Sequence, residues 1–266
     1  MAMNRIIVIT SGKGGVGKTT CTANLGMALA KAGKRVAVID ADFGLRNLDL
    51  LLGLENRIVY TALDVLAGEC RLDQALVKDK RQPNLALLPA AQNRSKESIT
   101  PEQMKKLVRA LTKAYNFVLI DSPAGIEMGF RNAIAAAREA IIVTTPEISA
   151  VRDADRVIGL LEANDIKAMR LIINRLKPSM VEAEQMMSVK DVQDILAVPL
   201  LGVIPDDEQV VVSTNNGEPL ILGKELTQAG TAVSNIARRL QGEKVPLMDL
   251  SVPKDSFFKK LRQLFN

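Results

Sequence analysis

The sequence predicts an α/β fold in which helices flank a doubly wound, mostly parallel sheet. Three observations support this prediction. Short apolar runs alternate with helix-like segments along the chain, a glycine-rich run joins the first such pair, and 47% of the 266 residues are hydrophobic. This alternation is typical of a parallel sheet with helices on both faces.

Seven runs rich in valine, isoleucine and leucine have the length and the unbroken apolar character of strands buried on both faces. They are Ile6–Thr10, Val36–Asp40, Leu85–Leu88, Phe117–Asp121, Ala140–Thr144, Leu171–Asn174 and Leu201–Ile204. We therefore expect a sheet of these seven strands.

Segments with helical character separate the strands. They are Thr19–Ala32, Pro101–Ala114, Met128–Ala137, Ser149–Asn164, Ser188–Leu196, Glu208–Thr214 and Thr227–Leu240. Thr100 is expected to cap the second helix because a proline and an acidic residue follow it. Gly33 is expected to end the first helix. Ser149 is expected to cap the fourth helix without the usual acidic partner.

The chain is expected to have three parts. Residues 1–241 contain no repeat, low-complexity segment or linker, and we interpret them as one domain. Residues 242–255 include Gly242, Pro246 and Pro253 and are interpreted as a linker. Residues 256–266 form a separate terminal segment.

Composition excludes several classes of function. The chain has no histidine, which removes imidazole catalysis and most zinc sites. Cys21 and Cys70 are interpreted as reduced thiols of a cytosolic protein, with Cys21 in a packing role. The first apolar run is too short for a secretory signal, and no stretch approaches the roughly 18 apolar residues that span a bilayer.

Basic charge is concentrated at the end of the chain. Residues 254–266 hold four basic side chains and one acid, so they supply +3 of the formal net charge of +5. The remaining residues are close to neutral for their number. We therefore do not expect a general nucleic-acid-binding surface.

A glycine-rich run directly follows the first predicted strand. Gly12–Thr19 fits the phosphate-binding P-loop pattern G-x-x-x-x-G-K-[ST] and lies between a strand and a helix, as that motif requires. Glycines let consecutive backbone N–H groups point at phosphate oxygens, and the helix N-terminus adds a positive dipole end. The residues expected to bind nucleotide here are Gly12, Lys13, Gly14, Gly15, Val16, Gly17, Lys18, Thr19 and Thr20. Lys18 is expected to reach the β- and γ-phosphates, and the Thr19 hydroxyl to bind Mg²⁺.

Carboxylates follow two of the predicted strands. Asp40 and Asp42 come at the end of the second strand, and Asp121 closes four apolar residues in the pattern called Walker B. Ligands of open α/β sheets bind at the carboxyl ends of strands. Phosphoryl transfer to water needs carboxylates that support Mg²⁺ and a group that orients the water. The alternative for Asp40 and Asp42 is a capped turn.

These motifs resemble a known family. Lys13–Thr20, KGGVGKTT, resembles the deviant Walker A motif of the ParA/MinD ATPase superfamily. Residues 40–49 (DADFGLRNLD), 121–127 (DSPAGIE) and 151–156 (VRDADR) are most similar to its MinD branch, the ATPases that select the division site in bacteria and plastids. The resemblance runs essentially from end to end of the chain.

The resemblance implies an ATPase that dimerises face to face when ATP binds. Lys13 would then cross to the phosphates of the other subunit, as an arginine finger does. Lys18 would act within its own subunit, and Asp42 would orient the hydrolytic water. The residues implied to support Mg²⁺ are Thr19, Asp40 in the first switch and Asp121.

Two further segments match the family pattern. Members clasp adenine with an Asn-Arg step and a Pro-acid step, which correspond here to Asn174-Arg175 and Pro205-Asp206. For Asn174-Arg175 a plain strand end is the alternative. The helix start Ser149–Arg156 resembles the surface that binds MinC and MinE, although a solvated charged helix face explains it equally well.

The terminal segment has the pattern of a membrane-binding helix. At about 100° per residue, its phenylalanine and leucine side chains fall within an arc of about 120°, and its basic side chains lie outside that arc. The residues expected to contact an anionic membrane are Phe257, Phe258, Lys259, Lys260, Leu261, Arg262, Leu264 and Phe265. A helix docked on the domain is the alternative, but the preceding linker and the basic face favour the membrane.

Residues and resemblance together predict a slow ATPase that the membrane and a partner stimulate. With ATP and Mg²⁺ it would form a homodimer on an anionic membrane and recruit a MinC-type division inhibitor there, which helps to place the septum. Hydrolysis, stimulated by a MinE-type activator, would release it. The expected location is the cytoplasm and the inner face of the plasma membrane, or the stroma and inner membrane of a plastid. No nucleic-acid partner is expected.

Three other functions within the same superfamily are alternatives. A ParA-type DNA-partitioning ATPase shares the P-loop, but the low basicity before residue 254 argues against it. A flagellar-number ATPase also carries a membrane-binding tail and stays open as an alternative. An iron–sulfur reductase needs cysteines that bridge a dimer at a cluster, and the spacing of Cys21 and Cys70 offers no such pair.

Overall fold

The computed structural model describes residues 4–43, 46–91 and 99–250. In chain order the strands are β1 Arg5–Thr10, β2 Val36–Asp40, β3 Val77–Lys78, β4 Leu85–Leu88, β5 Phe117–Asp121, β6 Glu139–Thr144, β7 Ala168–Leu176 and β8 Leu200–Pro205. The helices are α1 Lys18–Lys31, α2 Leu48–Leu52, α3 Ala62–Ala67, α4 Leu72–Ala75, α5 Pro101–Leu111, α6 Met128–Ile134, α7 Ile148–Ala163, α8 Pro178–Glu182, α9 Val189–Leu196, α10 Glu208–Asn215 and α11 Gln228–Leu240.

These strands form a single sheet in the order β3-β4-β2-β5-β1-β6-β7-β8. All neighbours pair in parallel except β3 and β4, which are antiparallel. The predicted doubly wound, mostly parallel sheet is therefore confirmed, with all seven predicted strands present. The sheet has one strand that was not predicted, β3, which lies at one edge.

Helices cover both faces of the sheet because the strands are apolar on both faces. Along β1, Ile6 and Val8 pack into one core, whereas Ile7 and Ile9 pack into the other. The first core is covered by α5, α6, α7 and α9, and the second by α1, α2 and α11. This alternation is the two-residue period of a strand, with each face buried.

Strand register brings the predicted carboxylates together. In the β2–β5 pair Asp40 lies directly opposite Asp121, and in the β1–β5 pair Ile9 lies opposite Asp121. The carboxyl ends of these three central strands therefore meet at one edge. The P-loop leaves β1 at that same edge.

Several helix boundaries differ from the prediction. Ser149 does not cap α7: the helix begins at Ile148, its N-cap is Glu147, and the Ser149 hydroxyl accepts a hydrogen bond from Lys13 instead. Helix α5 ends at Leu111 and α6 at Ile134, three residues early in each case, and i+3 turn bonds from Lys113, Ala114 and Ala137 mix with helical bonds beyond these ends.

The expected ends at Thr100 and Gly33 are confirmed. The Thr100 hydroxyl accepts the Gln103 backbone N–H at 3.2 Å, and Gly33 follows α1 with φ +80°.

The segment after α11 contacts the domain as far as the description extends. The Arg239 guanidinium donates to the carbonyl oxygens of Leu201 at 2.9 Å and Val245 at 2.8 Å, and Met248 packs against the second core. The rest of the predicted linker and the predicted membrane helix at 256–266 lie outside the described residues. No helix within the described ranges is long and apolar enough to cross a bilayer.

Candidate functional site

The P-loop connects β1 to α1 through a backbone that requires glycine. Gly15 and Gly17 have φ values of +81° and +90°, in the left-handed region that side chains disfavour. Side chains are also excluded by close contacts. A Cβ on Gly12 would overlap the backbone of Asp153 in α7, and one on Gly17 would overlap the side-chain amide of Asn174.

Lys18 lies at the start of α1 and pairs with the Walker B aspartate. Its Nζ is 3.1 Å from Asp121 Oδ1, and both side chains are almost fully buried. The Thr22 hydroxyl donates to the same oxygen at 2.9 Å, and Lys18 Nζ lies 3.3 Å from the Thr19 hydroxyl. The arrangement places one ammonium, two hydroxyls and one carboxylate where a phosphate and its metal would bind.

Asp40 organises the loop that follows β2. Its Oδ1 accepts the Asp42 backbone N–H at 3.0 Å, and its Oδ2 accepts those of Asn47 at 3.1 Å and Leu48 at 3.2 Å. Burial, and after it the negative charge of Asp121, raise the pKa of Asp40 to about 7, although the three backbone donors oppose the shift. Asp40 therefore holds the predicted first-switch loop and α2 close to Asp121.

The oxygen ligands at this edge suit a magnesium ion. Thr19 and Asp121 lie within reach of the same ammonium, and Asp40 lies opposite Asp121 in the sheet. Magnesium is typically held by one or two carboxylates, a hydroxyl and substrate phosphates rather than by a full protein cage. Accordingly, no cluster of three or more metal-ligating side chains occurs in the ranges that the structure covers.

Lys13 points away from this buried group. Its Nζ donates to the Ser149 hydroxyl at 3.1 Å and lies 3.9 Å from Glu147 Oε2, at the start of α7. The Lys13 side chain is 44% exposed, compared with 9% for Lys18. The two P-loop lysines therefore occupy different environments: Lys18 lies inside the site and Lys13 at its rim.

Asn174 supports the P-loop directly. Its amide Nδ2 donates to the Val16 carbonyl at 2.8 Å, so this amide group is already used by the phosphate loop. Sequence reasoning placed Asn174 beside the base and did not foresee this contact. Because it joins residues 158 positions apart, no local pattern could have indicated it.

Beside the P-loop lies a cavity of about 290 Å³, which we call the base-side cavity. It brings together the four residues predicted to clasp adenine, Asn174, Arg175, Pro205 and Asp206. Gly17 and Thr20 border it on the P-loop side, and Val210 and Val211 of α10 form another wall. A ligand with its phosphates on the P-loop would place its other end here.

A larger and more open groove of about 1020 Å³ begins at the same rim. Glu147 and Ser149, the partners of Lys13, line one side, and Met180, Met186 and Met187 supply apolar surface. Methionine-rich surfaces adapt readily to a protein partner.

Three other contacts were not predicted from the sequence. Thr22 follows Lys18 by one helical turn, a spacing that places both on one face and could have indicated its contact with Asp121. The contacts of Lys13 with Glu147 and Ser149 join distant segments and have no comparable signal.

Buried Cys21 lies next to this site. Burial, followed by the charge of Asp121, raises the pKa of its thiol to about 12, so the thiol is neutral. This agrees with the packing role predicted for it.

Comparison with known proteins gives consistent matches. The model of the CobQ/CobB/MinD/ParA nucleotide binding domain matches residues 7–220. The septum site-determining protein MinD of Synechocystis sp. is 64% identical over 261 residues, which cover 98% of each chain.

Two solved structures also match over most of their length. The MinC:MinD cell division protein complex of Aquifex aeolicus matches at 52% identity and a TM-score of 0.86, over 92% of this chain and 99% of that chain. The septum site-determining protein MinD of Pyrococcus horikoshii, complexed with Mg-ADP, matches at 35% identity and a TM-score of 0.80, over 90% of this chain and 96% of that chain.

Proposed function

Because the chain belongs to the MinD family of septum site-determining, nucleotide-binding proteins, we propose that it is an ATP-driven membrane switch. In this proposal it binds ATP with Mg²⁺, dimerises face to face, attaches to an anionic membrane and recruits a MinC-type division inhibitor. Hydrolysis, stimulated by the membrane and a MinE-type activator, releases the protein from the membrane. The contrast between its two P-loop lysines carries this proposal.

Within one subunit, the buried groups would bind and orient the phosphates. The P-loop N–H groups and Lys18 would neutralise phosphate charge, and the Thr19 hydroxyl with Asp121 would hold Mg²⁺. When bound, Mg²⁺ supplies charge stabilisation at the phosphates. Asp42, whose backbone N–H is fixed on Asp40, would orient the attacking water. Arg175, Pro205 and Asp206 would enclose the adenine in the base-side cavity.

Lys13 would complete the site of a second subunit. It is half exposed at the rim, and its contacts with Ser149 and Glu147 are surface contacts that cost little to exchange. A second copy placed face to face would cover the open groove and its methionines, which supports dimerisation through this edge. A lysine supplied across that interface makes hydrolysis depend on the dimer.

Dimerisation would link ATP to the membrane through avidity. A single short amphipathic helix binds weakly, but two on one dimer can raise binding by about 10² to 10⁴. A protein of the family has been solved in complex with MinC. The face of α7 around Asp153 and Arg156 is the proposed site for such a partner here.

The test is sedimentation with vesicles that contain an anionic lipid, in Mg²⁺ with ATP or ADP, with neutral vesicles as the comparison. We expect binding with ATP on anionic vesicles and little binding otherwise. Phe258→Glu should abolish sedimentation while ATP binding persists, and Lys13→Ala should lose both dimerisation and hydrolysis. Equal sedimentation with ATP and ADP would refute the switch, and full ATPase activity of Lys13→Ala would refute its role across the dimer.

A further inference from the structure

Helices α2 and α10 end against each other at a pair of glycines, which we call the glycine junction. Gly53 follows α2 and Gly217 follows α10, with φ values of +61° and +63°. A Cβ on Gly217 would lie 2.8 Å from Gly53 Cα, and one on Gly53 would lie 2.5 Å from the Gly217 carbonyl oxygen. The two backbones therefore touch directly, with no room for a side chain.

Arg81 binds the ends of both helices. Its guanidinium donates to the carbonyl oxygen of Leu52, the last residue of α2, and to that of Gly217 at 3.1 Å. Carbonyls at a helix C-terminus lack partners within the helix, and an arginine is well suited to supply them.

A buried carboxylate holds Arg81 in this position. Asp79 is 1% exposed, and its oxygens accept from Arg81 Nε at 3.0 Å and from Nη2 at 2.7 Å. The planar guanidinium can make this two-point pair and still donate to both helix ends, which a lysine ammonium cannot do. The side chain of Arg81 is therefore oriented before it contacts either helix.

Helix α10 depends on its ends for its position. It has no buried residue, although Val210 and Val211 line the base-side cavity. Its N-terminus is capped by Asp207, whose side chain accepts the Gln209 N–H at 2.9 Å. Its C-terminus is held by the glycine junction and Arg81. Val210 is half-buried and packs against the second core, but α10 has no fully buried apolar face, so the contacts at its two ends contribute much of what fixes its distance from the P-loop.

Helix α2, in contrast, is anchored in the core and at the phosphate site. Leu48 and Leu52 are fully buried. The backbone N–H groups of Asn47 and Leu48 bind Asp40. Through the glycine junction, α10 is therefore fixed to an element whose other end lies at the carboxylates of the site.

We infer that Arg81 is a positioning residue for nucleotide binding, because it joins α10 to α2 and so sets the wall of the base-side cavity. The inference rests on the proposed binding of adenine nucleotides at this site. It assigns Arg81 an effect on the base end of the ligand and none on the phosphate end.

The first test compares two ligands on Arg81→Lys. Lysine keeps a positive charge beside Asp79 but cannot bridge both helix ends. With Mg²⁺ present, titration calorimetry measures ADP directly and inorganic pyrophosphate by displacement of ADP. We expect ADP to bind at least about fivefold more weakly, the lower end of coupling between sites, and pyrophosphate to stay within about twofold.

The second test uses a matched pair of glycine variants. Gly217→Ala and Gly33→Ala both place alanine at a positive φ, +63° and +80°, but only Gly217 lies against another backbone. Both variants should have a lower melting temperature, but only Gly217→Ala should bind ADP more weakly. The second variant keeps the inference testable if Arg81→Lys does not fold.

Three outcomes decide the matter. The inference holds if Arg81→Lys binds ADP more weakly but pyrophosphate as before. It also holds if Gly217→Ala shows this pattern and Gly33→Ala does not. If the variants bind both ligands as the unmodified protein does, or if their affinities for both ligands fall equally, Arg81 has only a structural role and the inference is overturned. If the unmodified protein binds no ADP, the proposed function itself fails.

Discussion

The two ends of the candidate nucleotide site are built differently. At the phosphate end, Lys18, Thr22 and Asp121 are buried and joined by hydrogen bonds, and buried Asp40 lies opposite Asp121 at the carboxyl ends of central strands. At the base end, one wall is α10, a helix with no buried residue. In the proposed function, the core of the protein would therefore organise phosphate recognition, whereas contacts at helix ends would organise base recognition.

This difference has an energetic basis. Removing one partner of a buried ion pair leaves a charge in a poorly solvated place, which typically costs about 3 to 5 kcal/mol. The base end offers mainly apolar contact and a few exposed polar groups, so single changes there should cost less. Three variants can break or sharpen this comparison.

The largest effect is expected for Lys18→Ala. The change removes the ammonium from the phosphate site and leaves Asp121 without its cation, beside Asp40. We expect the rate of ATP hydrolysis to fall by at least about 10²-fold, as for loss of a preorganised charge donor. Phosphate release at saturating ATP measures it, with Lys167→Ala, an exposed lysine before β7, as the control. Hydrolysis near that of the control would contradict the role of Lys18.

A second effect, on the dependence of stability on pH rather than on activity, is expected from Asp40→Asn. The folded pKa of Asp40, about 7, exceeds the value of 3.8 expected when unfolded, so the folded state holds more protons between these limits. Stability should therefore fall as pH rises from about 4 to 7, by an amount of order 4 kcal/mol for this group. Denaturant unfolding with a chelator present measures how the free energy of unfolding changes with pH. The variant should lack the part of this change that Asp40 contributes. An identical slope in both proteins would show that Asp40 is ionised throughout.

The smallest of the three effects is expected for Asn174→Ala, which tests where the two ends divide. The variant leaves the buried Val16 carbonyl without its donor, at a cost of about 1 to 3 kcal/mol. Because that carbonyl belongs to the P-loop, the affinities for ADP and for pyrophosphate should fall together, by about tenfold. Calorimetry measures both, with Asn164→Ala as a control whose amide also donates to a backbone carbonyl but is exposed. A weaker affinity for ADP with unchanged affinity for pyrophosphate would place Asn174 at the base end instead.

Much of this architecture was predictable from the sequence because strong local signals specify it. The seven strands are continuous apolar runs rich in Val, Ile and Leu, the P-loop follows β1 directly, and Asp40 and Asp121 are the last residues of β2 and β5. Thr100 and Gly33 are helix signals with a local mechanism, and both are confirmed. The four residues predicted to clasp adenine all border one cavity beside the P-loop.

What was missed depends on contacts between distant parts of the chain. Strand β3 has two residues and α2 has five, too few for a period to be visible. Helix α2 starts where Asp40, seven and eight residues earlier, binds its backbone N–H groups. Ser149 has the sequence of a cap, but Lys13 occupies its hydroxyl, and only the fold brings those two side chains together.

Gly12 has a consequence for how a partner could influence the nucleotide. The backbone of the P-loop rests directly on the backbone of α7 at Asp153, with no side chain between them. A displacement of α7 by a bound protein would therefore reach the phosphate loop without relaxation of any intervening group. Interiors this closely packed transmit strain rather than absorb it. A protein that binds α7 at Asp153 would therefore press on a backbone that is already in direct contact with the loop.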